Sequence, residues 1–308
     1  MTYTHTYKGI VWLDLESPTD NEISQLVKRY ALHPLVGEEL KITSSLAKID
    51  FYEDYILVVL TLPARTRKDK GYKISDREIT FVIGKTFLIT SRTETIEQLE
   101  YFSKIFETNS ILNNKEENVE HAGHLFHYMV KRIYAGLIED LENIKDSIIT
   151  AETRIFSGDE HKMVEVLSNL GRELIDIKQT ARMHHDIWEK MVSYGDKSLF
   201  GKDFGVYIRD IRDEFNIINE LITNTRELLA ELRETNDSLL NTKQNETIKM
   251  LTMITAICYP ISLIAAIFTI PALGIPIVHH PQGWLILMIG SVSIAIIFWY
   301  FLKKKQWI

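Results

Sequence analysis

Hydrophobic and polar positions change their spacing twice along this chain, and each change marks a different kind of element. Up to about residue 91 the apolar runs are short and bounded by turn residues. Ile10 to Leu15 is a strand, and a helix capped by Asp20 or Asn21 runs from there to about Tyr30. Tyr55 to Leu62 reads as a buried strand, and Ile79 to Thr90 as two strands joined at a tight Gly84-Lys85 turn. The charged segment from Arg65 to Gly71 is a hairpin loop, and a helix is predicted from near Thr95.

Beyond Glu116 the period becomes helical. Leu125, Met129, Ile133, Leu137, Leu141, Ile144 and Ile148 make one apolar stripe on a helix from Val119 to about Ile155. A second helix, His161 to about Val192, follows the Ser157-Gly158-Asp159 turn, so the two form an antiparallel hairpin. A third begins near Val206 and meets no proline or glycine before Pro260. At about 1.5 Å per residue that stalk is about 80 Å long.

The second change comes with two uncharged apolar runs, Leu251 to Ile270 and Trp284 to Leu302. Each is long enough to cross a hydrocarbon core of about 30 Å. Only Pro271 to Gly283 lies between them, so their outer ends share one side of the membrane. The predicted fold is an α/β cytoplasmic domain over 1–116, a helical hairpin and long stalk over 117–249, and a C-terminal transmembrane hairpin over 250–308.

Charge orients this hairpin. Lys243 and Lys249 precede the first span and Lys303, Lys304 and Lys305 follow the second, whereas the connecting segment has neither Lys nor Arg. Both termini are therefore expected in the cytoplasm of a multi-pass protein of the cell membrane. The opening residues lack the pattern of a secretory signal, and the single cysteine, Cys258, lies within the first span. The 308 residues are 45% hydrophobic and 25% charged, with net charge -7 and no basic stripe, which argues against nucleic acid as a partner. No phosphate loop, nucleophile elbow, HExxH or CxxC pattern is present, so no enzyme chemistry or cofactor is expected.

The first span has two unlike faces. Positions alternately four and three apart hold Asn241, Asn245, Ile248, Thr252, Thr255, Tyr259, Ser262, Ala266 and Thr269. The opposite stripe, Met250, Ile254, Ile257, Ile261, Ile264 and Phe268, is wholly apolar. The polar and small stripe suits either close helix packing or a water-filled axis. Two spans cannot enclose a pore, so the second alternative calls for symmetry-related copies, with Ile248 and Tyr259 as bulky constrictions.

Several segments carry a family resemblance. They are the run Ile248-Lys-Met-Leu-Thr-Met-Ile-Thr, the Tyr259-Pro-Ile-Ser-Leu-Ile-Ala-Ala-Ile-Phe segment with its mid-helix Pro260, and the closing Lys303-Lys-Lys-Gln-Trp-Ile. With Trp12-Leu-Asp-Leu before Pro18, the stretch from Asp50 to Leu60 and Tyr207-Ile-Arg-Asp-Ile-Arg-Asp, they resemble the CorA family of divalent-cation transporters over essentially the whole chain. The resemblance implies a homopentamer with a cytoplasmic funnel, embedded in the lipid bilayer. It implies that Asn245, Ile248, Leu251, Thr255, Tyr259, Ser262 and Thr269 face or neighbour a central pore. It also implies that Asp210 is an intersubunit site where cytoplasmic Mg²⁺ holds the channel closed. The bland reading of Asp210 is a solvated carboxylate beside Arg209 and Arg212.

The chain departs from that family at the outer mouth. The family's Gly-Met-Asn aligns with Thr269, Ile270 and Pro271, and no Gly-Met-Asn occurs anywhere. Mg²⁺ gives up its waters reluctantly, so an entrance needs oxygen acceptors for those waters, and proline offers no side-chain acceptor. Pro271 also disfavours helical geometry at Ile270, leaving Thr269 hydroxyls and terminal carbonyls as the expected mouth. The connecting segment has no Asp or Glu and instead carries His279 and His280, candidate ligands for Zn²⁺, Ni²⁺ or Co²⁺.

His121, His124 and His127 recur at steps of three that rotate around a helix, which predicts a solvated or subunit-facing helix rather than a metal site. His184 and His185 point in different directions. Two functions follow: a divalent-cation channel or transporter gated by cytoplasmic divalent cation, with Mg²⁺ ahead of Co²⁺, Ni²⁺ and Zn²⁺, or a non-conducting regulatory or structural relative that has lost the selectivity motif.

Overall fold

The computed structural model describes residues 2–41, 47–68, 71–96, 99–104, 121–195, 199–201, 203–269 and 281–304. Its contacts divide the chain into two compact units, 1–233 and 234–308.

The first unit is built on a six-stranded sheet ordered β1-β2-β6-β5-β4-β3. The strands are β1 (Thr2–Tyr7), β2 (Ile10–Glu16), β3 (Lys48–Phe51), β4 (Tyr55–Lys68), β5 (Gly71–Gly84) and β6 (Phe87–Arg92). β2 and β6 pair in parallel and the other neighbours are antiparallel. β1 was not predicted. It is joined to β2 by Lys8 and Gly9, whose φ of 49° and 82° give the two left-handed residues that a tight hairpin needs.

The sequence placed a loop over Arg65 to Gly71. Instead the ladder continues from Tyr55↔Gly84 to Lys68↔Gly71. Arg65 is not a loop charge, because its guanidinium lies 3.0 Å from buried Glu173. A charged side chain can stay within a strand where a buried carboxylate pairs with it.

Helix α1 (Asp20–Arg29) starts one residue earlier than expected. Its cap is Thr19, whose hydroxyl accepts from Glu22 N while the Glu22 carboxylate accepts from Thr19 N. That backbone hydrogen bond from Thr19, with the hydroxyls of Thr2 and Thr19, holds the Glu22 carboxyl at about 2. A short helix, α2 (Pro34–Glu39), begins at a proline after His33, whose Nδ1 accepts from Leu35 N. α1 and α2 cover one face of the sheet through Ile23, Leu26 and Val36 against Leu13, Leu15, Leu57, Val59, Val82 and Ile89.

The other face lies under α3 (Ala122–Phe156) and α4 (Glu160–Gly195), seen in the edge-on pair Phe81 and Phe126, 5.1 Å apart. With both faces covered, β4 has no polar side to expose, which is why Ile56 to Leu60 reads as an unbroken apolar run. The predicted stripe on α3, Leu125 through Ile148, is buried throughout. Gly158, at φ 102°, sits in the turn between α3 and α4, as the Ser157-Gly158-Asp159 segment suggested.

A buried polar chain joins these layers. Trp188 Nε1 donates to the Tyr134 hydroxyl at 2.7 Å, and that hydroxyl lies 3.0 Å from His184 Nδ1. His184 Nε2 lies 2.8 Å from the Thr61 carbonyl oxygen, which can only accept. The proton is therefore on Nε2, and Tyr134 donates to Nδ1. Burial pushes the His184 imidazole down to about 4 and the Tyr134 hydroxyl up.

α5 (Phe204–Thr269) runs from the first unit into the second and contains Pro260. Its residues Ile208, Ile211, Phe215, Ile218 and Ile222 are buried. The second unit ends in α6 (Gly283–Lys304), rich in exposed apolar side chains. The architecture is a mixed α/β domain, a long helix and a C-terminal apolar helix.

Candidate functional site

The first candidate region is the part of α5 from Asn241 to Thr269. Asn241, Asn245, Ile248, Thr252, Thr255, Tyr259, Ser262, Ala266 and Thr269 are all exposed, as is Leu251 beside them. Tyr259 is 70% exposed. On the opposite stripe Met250 and Ile254 are exposed as well, and Ile257, Ile261 and Ile264 are half-buried. The polar stripe is exposed along its described length, whereas the apolar stripe is half-buried from Ile257 to Ile264. Ile270, Pro271, His279 and His280 lie outside the described residues.

The Ser and Thr hydroxyls on this stripe have a common polarity. Thr252 Oγ1 donates to Ile248 O at 2.8 Å, Thr255 Oγ1 to Leu251 O at 2.8 Å, Ser262 Oγ to Cys258 O at 3.0 Å and Thr269 Oγ1 to Ala266 O at 2.7 Å. Each spends its only proton inside its own helix, as Ser and Thr do in helices, and keeps its lone pairs as acceptors. Pro260, which has no N–H, leaves the Ala256 carbonyl without its usual helical donor, adding another acceptor near the stripe. Such a surface accepts hydrogen bonds from water and carries no formal charge.

The second region surrounds Asp210. His127 Nε2 lies 2.7 Å and Lys131 Nζ 2.9 Å from the same oxygen, Asp210 Oδ2. The Asp210 carboxyl feels partial burial, which pushes it up, but the hydrogen bonds from His127 and Lys131 outweigh this and hold it below the ordinary carboxylate value. Burial lowers His127 more than Asp210 raises it, so the neutral ring donates from Nε2. Asp210 is therefore not the freely solvated carboxylate of the bland reading, and Arg212 pairs with Asp213 at 3.0 Å instead.

The expectation of a solvated or subunit-facing histidine face is also corrected. His124 and His127 are buried within the subunit, packed on Tyr207 with ring centroids 4.4 and 5.1 Å apart. His121 stacks on Phe200 at 4.9 Å, and burial, with His124 and Lys85 nearby, lowers it to about 4. Aromatic rings from the start of α5 enclose the three imidazoles. Among the described residues no group of three or more His, Cys, Asp or Glu side chains is arranged to hold a metal ion.

Sequence reasoning missed His127 and Lys131 as partners of Asp210. The available signal was their spacing of four on one helix face, which marks a shared contact without naming it.

The family model described as CorA-like Mg²⁺ transporter protein matches residues 7–305. The chain belongs to the CorA family. The cobalt/magnesium transport protein CorA of Thermotoga maritima is 22% identical over 299 residues, covering 96% of this chain and 83% of that protein. CorA of Methanocaldococcus jannaschii is 22% identical over 304 residues, covering 97% and 92%. The complete structure of the CorA magnesium transporter from Methanocaldococcus jannaschii matches in fold with a TM-score of 0.81 at 20% identity, over 99% of this chain and 94% of that one.

As a CorA-family member the chain is a membrane transporter of divalent cations and not an enzyme. Consistent with this, the C-terminal part of α5 and α6 are each long and apolar enough to cross a membrane.

Proposed function

We propose that the chain forms a homopentamer in the cell membrane, with both termini in the cytoplasm, and conducts divalent cations along an axis lined by α5 from each copy. Mg²⁺ is the foremost substrate, with Co²⁺, Ni²⁺ and Zn²⁺ as further candidates. The names of the Thermotoga and Methanocaldococcus relatives support Mg²⁺ and Co²⁺. On the division into 1–116, 117–249 and 250–308, the middle part holds the regulatory Asp210 and couples it to conduction in the last.

The observation that carries this reading is the open stripe from Asn245 to Thr269, with its hydroxyl protons turned into the helix. A hydrated divalent ion presents water hydrogens outward, so its path needs acceptors and few donors. Thr252, Thr255, Ser262 and Thr269 meet that need, and Asn245 adds an amide oxygen. Ala266 keeps the wall narrow in side chain. Ile248, Leu251 and Tyr259 are the constrictions. Thr269, Ile270 and Pro271 form the outer entrance in place of Gly-Met-Asn, and His279 and His280 bind softer metals near it. Asp210 is the cytoplasmic regulatory site, its exposed carboxylate reached from a neighbouring subunit.

Two features of the sequence favour a second reading. The missing Gly-Met-Asn and the absence of Asp and Glu from residues 271–283 fit a non-conducting regulatory or structural protein on the same scaffold.

Flux into dye-loaded proteoliposomes, challenged in turn with Mg²⁺, Co²⁺, Ni²⁺ and Zn²⁺, separates the two. Saturable Mg²⁺ entry is expected. Entry of only the softer metals would move selectivity to His279 and His280, and no flux from a verified pentamer would establish the second reading.

A further inference from the structure

Asp210 already has a cation within its own subunit. His127 and Lys131, four residues apart on α3, reach the same oxygen of Asp210 on α5. Lys131 Nζ also stands 4.0 Å from Glu214, one turn further along α5. His127 Nδ1 is buried without a hydrogen-bond partner, as suits a neutral ring that donates from Nε2. The formal positive charge facing this carboxylate pair is thus the Lys131 ammonium. The Asp210 side chain is 47% exposed, so a second ligand can still approach it.

We propose that Lys131 is an internal counter-cation that competes with divalent metal for Asp210 and so raises the metal concentration at which the regulatory site fills. This rests on the reading of Asp210 as that site. A divalent ion approaching Asp210 meets a fixed ammonium 2.9 Å from the oxygen it needs. It must either displace that ammonium or bind beside it against like-charge repulsion. Displacement also releases a hydrogen bond between α3 and α5. Metal occupancy and the attachment of the stalk to the helical hairpin are coupled through one side chain.

Removing the charge while keeping the aliphatic stem isolates the effect. Lys131 is half-exposed, with a relative side-chain exposure of 37%, so Lys131→Met leaves little buried polarity unpaired. Full-length protein in detergent is titrated with Mg²⁺ alone by calorimetry, and thermal midpoints confirm that each variant is folded. Lys131→Met is expected to lower the half-saturating Mg²⁺ concentration about tenfold, the like-charge penalty being of order 1.4 kcal/mol for that factor. Lys131→Arg, which keeps the charge, stays near wild type, and Asp210→Asn abolishes the binding event.

If Lys131→Met matches wild type while Asp210→Asn still abolishes binding, the counter-cation is refuted and the regulatory site stands. If Asp210→Asn binds Mg²⁺ as wild type does, both fall. If Lys131→Met folds but binds more weakly, Lys131 supports the site rather than competing for it, which also overturns the proposal.

Discussion

Trp188 and Tyr259 are both large aromatic side chains on helices, yet Trp188 is wholly buried and Tyr259 is 70% exposed. The contrast extends to the units that hold them. In residues 1–233 several buried polar groups pair within the chain: Trp188 with Tyr134, His184 with Thr61, Arg65 with Glu173. In residues 234–308 Leu251, Tyr259, Trp284 and Ile297 lie open. An exposed apolar surface of that extent has no use in water. The first unit carries its own solvent-excluded interior, whereas the second takes its environment from lipid and, on our proposal, from identical copies. A CorA-family chain is therefore stabilised by different physics at its two ends.

The largest test of that contrast is an aromatic deletion in each unit. Trp188→Ala should destabilise the full chain by about 3–5 kcal/mol, since it opens a cavity and strips Tyr134 of a donor. Tyr259→Ala should move the thermal midpoint in detergent little and raise cation flux several-fold by widening a constriction. A similar loss of stability at both positions would erase the distinction. Unchanged flux in Tyr259→Ala would remove it as a gate.

A smaller effect sharpens the description of the first unit. His184 is held neutral, its value lowered from 6.5 to about 4 by burial. A depressed histidine binds its proton more readily in the unfolded chain, so its stabilisation is complete above about pH 6.5. It declines as pH falls to about 4, amounting to about 3 kcal/mol at about 1.4 kcal/mol per unit. Unfolding of the full chain followed across that range should show the decline, and His184→Gln should flatten it. An unaltered pH slope in that variant would place the acid sensitivity elsewhere.

The smallest expected effect on stability lies in the open stripe. Thr255→Val keeps shape, removes one acceptor and leaves the unfolding free energy within about 0.5 kcal/mol of wild type. On the conducting reading it lowers Mg²⁺ flux severalfold in liposomes. A change in folding without a change in flux would make the stripe a packing surface after all.

Much of this molecule follows from local pattern. Apolar spacing was enough to place α3, α4 and the long α5, because a helix buries every third or fourth residue whatever lies against it. The apolar runs at 251–270 and 284–302, their lysine flanks and the resemblance to CorA were legible for the same reason: each is a property of consecutive residues. β1 escaped notice because six polar and aromatic residues become a strand only when β2 offers its edge. The cap of α1 was placed one residue late because Thr19 competes with Asp20 and Asn21, and only the reciprocal bonds with Glu22 decide among them. Arg65 looked like a loop residue until Glu173, 108 positions away, gave it a buried partner.

The stalk carboxylate divides in the same way. Asp210 was nominated by the resemblance of its stalk segment to CorA, but its pairing with His127 and Lys131 joins positions 83 and 79 apart. The order of residues alone was enough to place the long helices, the segments apolar enough for a membrane and the polar face of the first span. Tertiary structure alone decided which charges are already neutralised. A charge's effect depends on what stands within a few ångströms of it, and chain folding, not chain order, brings those groups together.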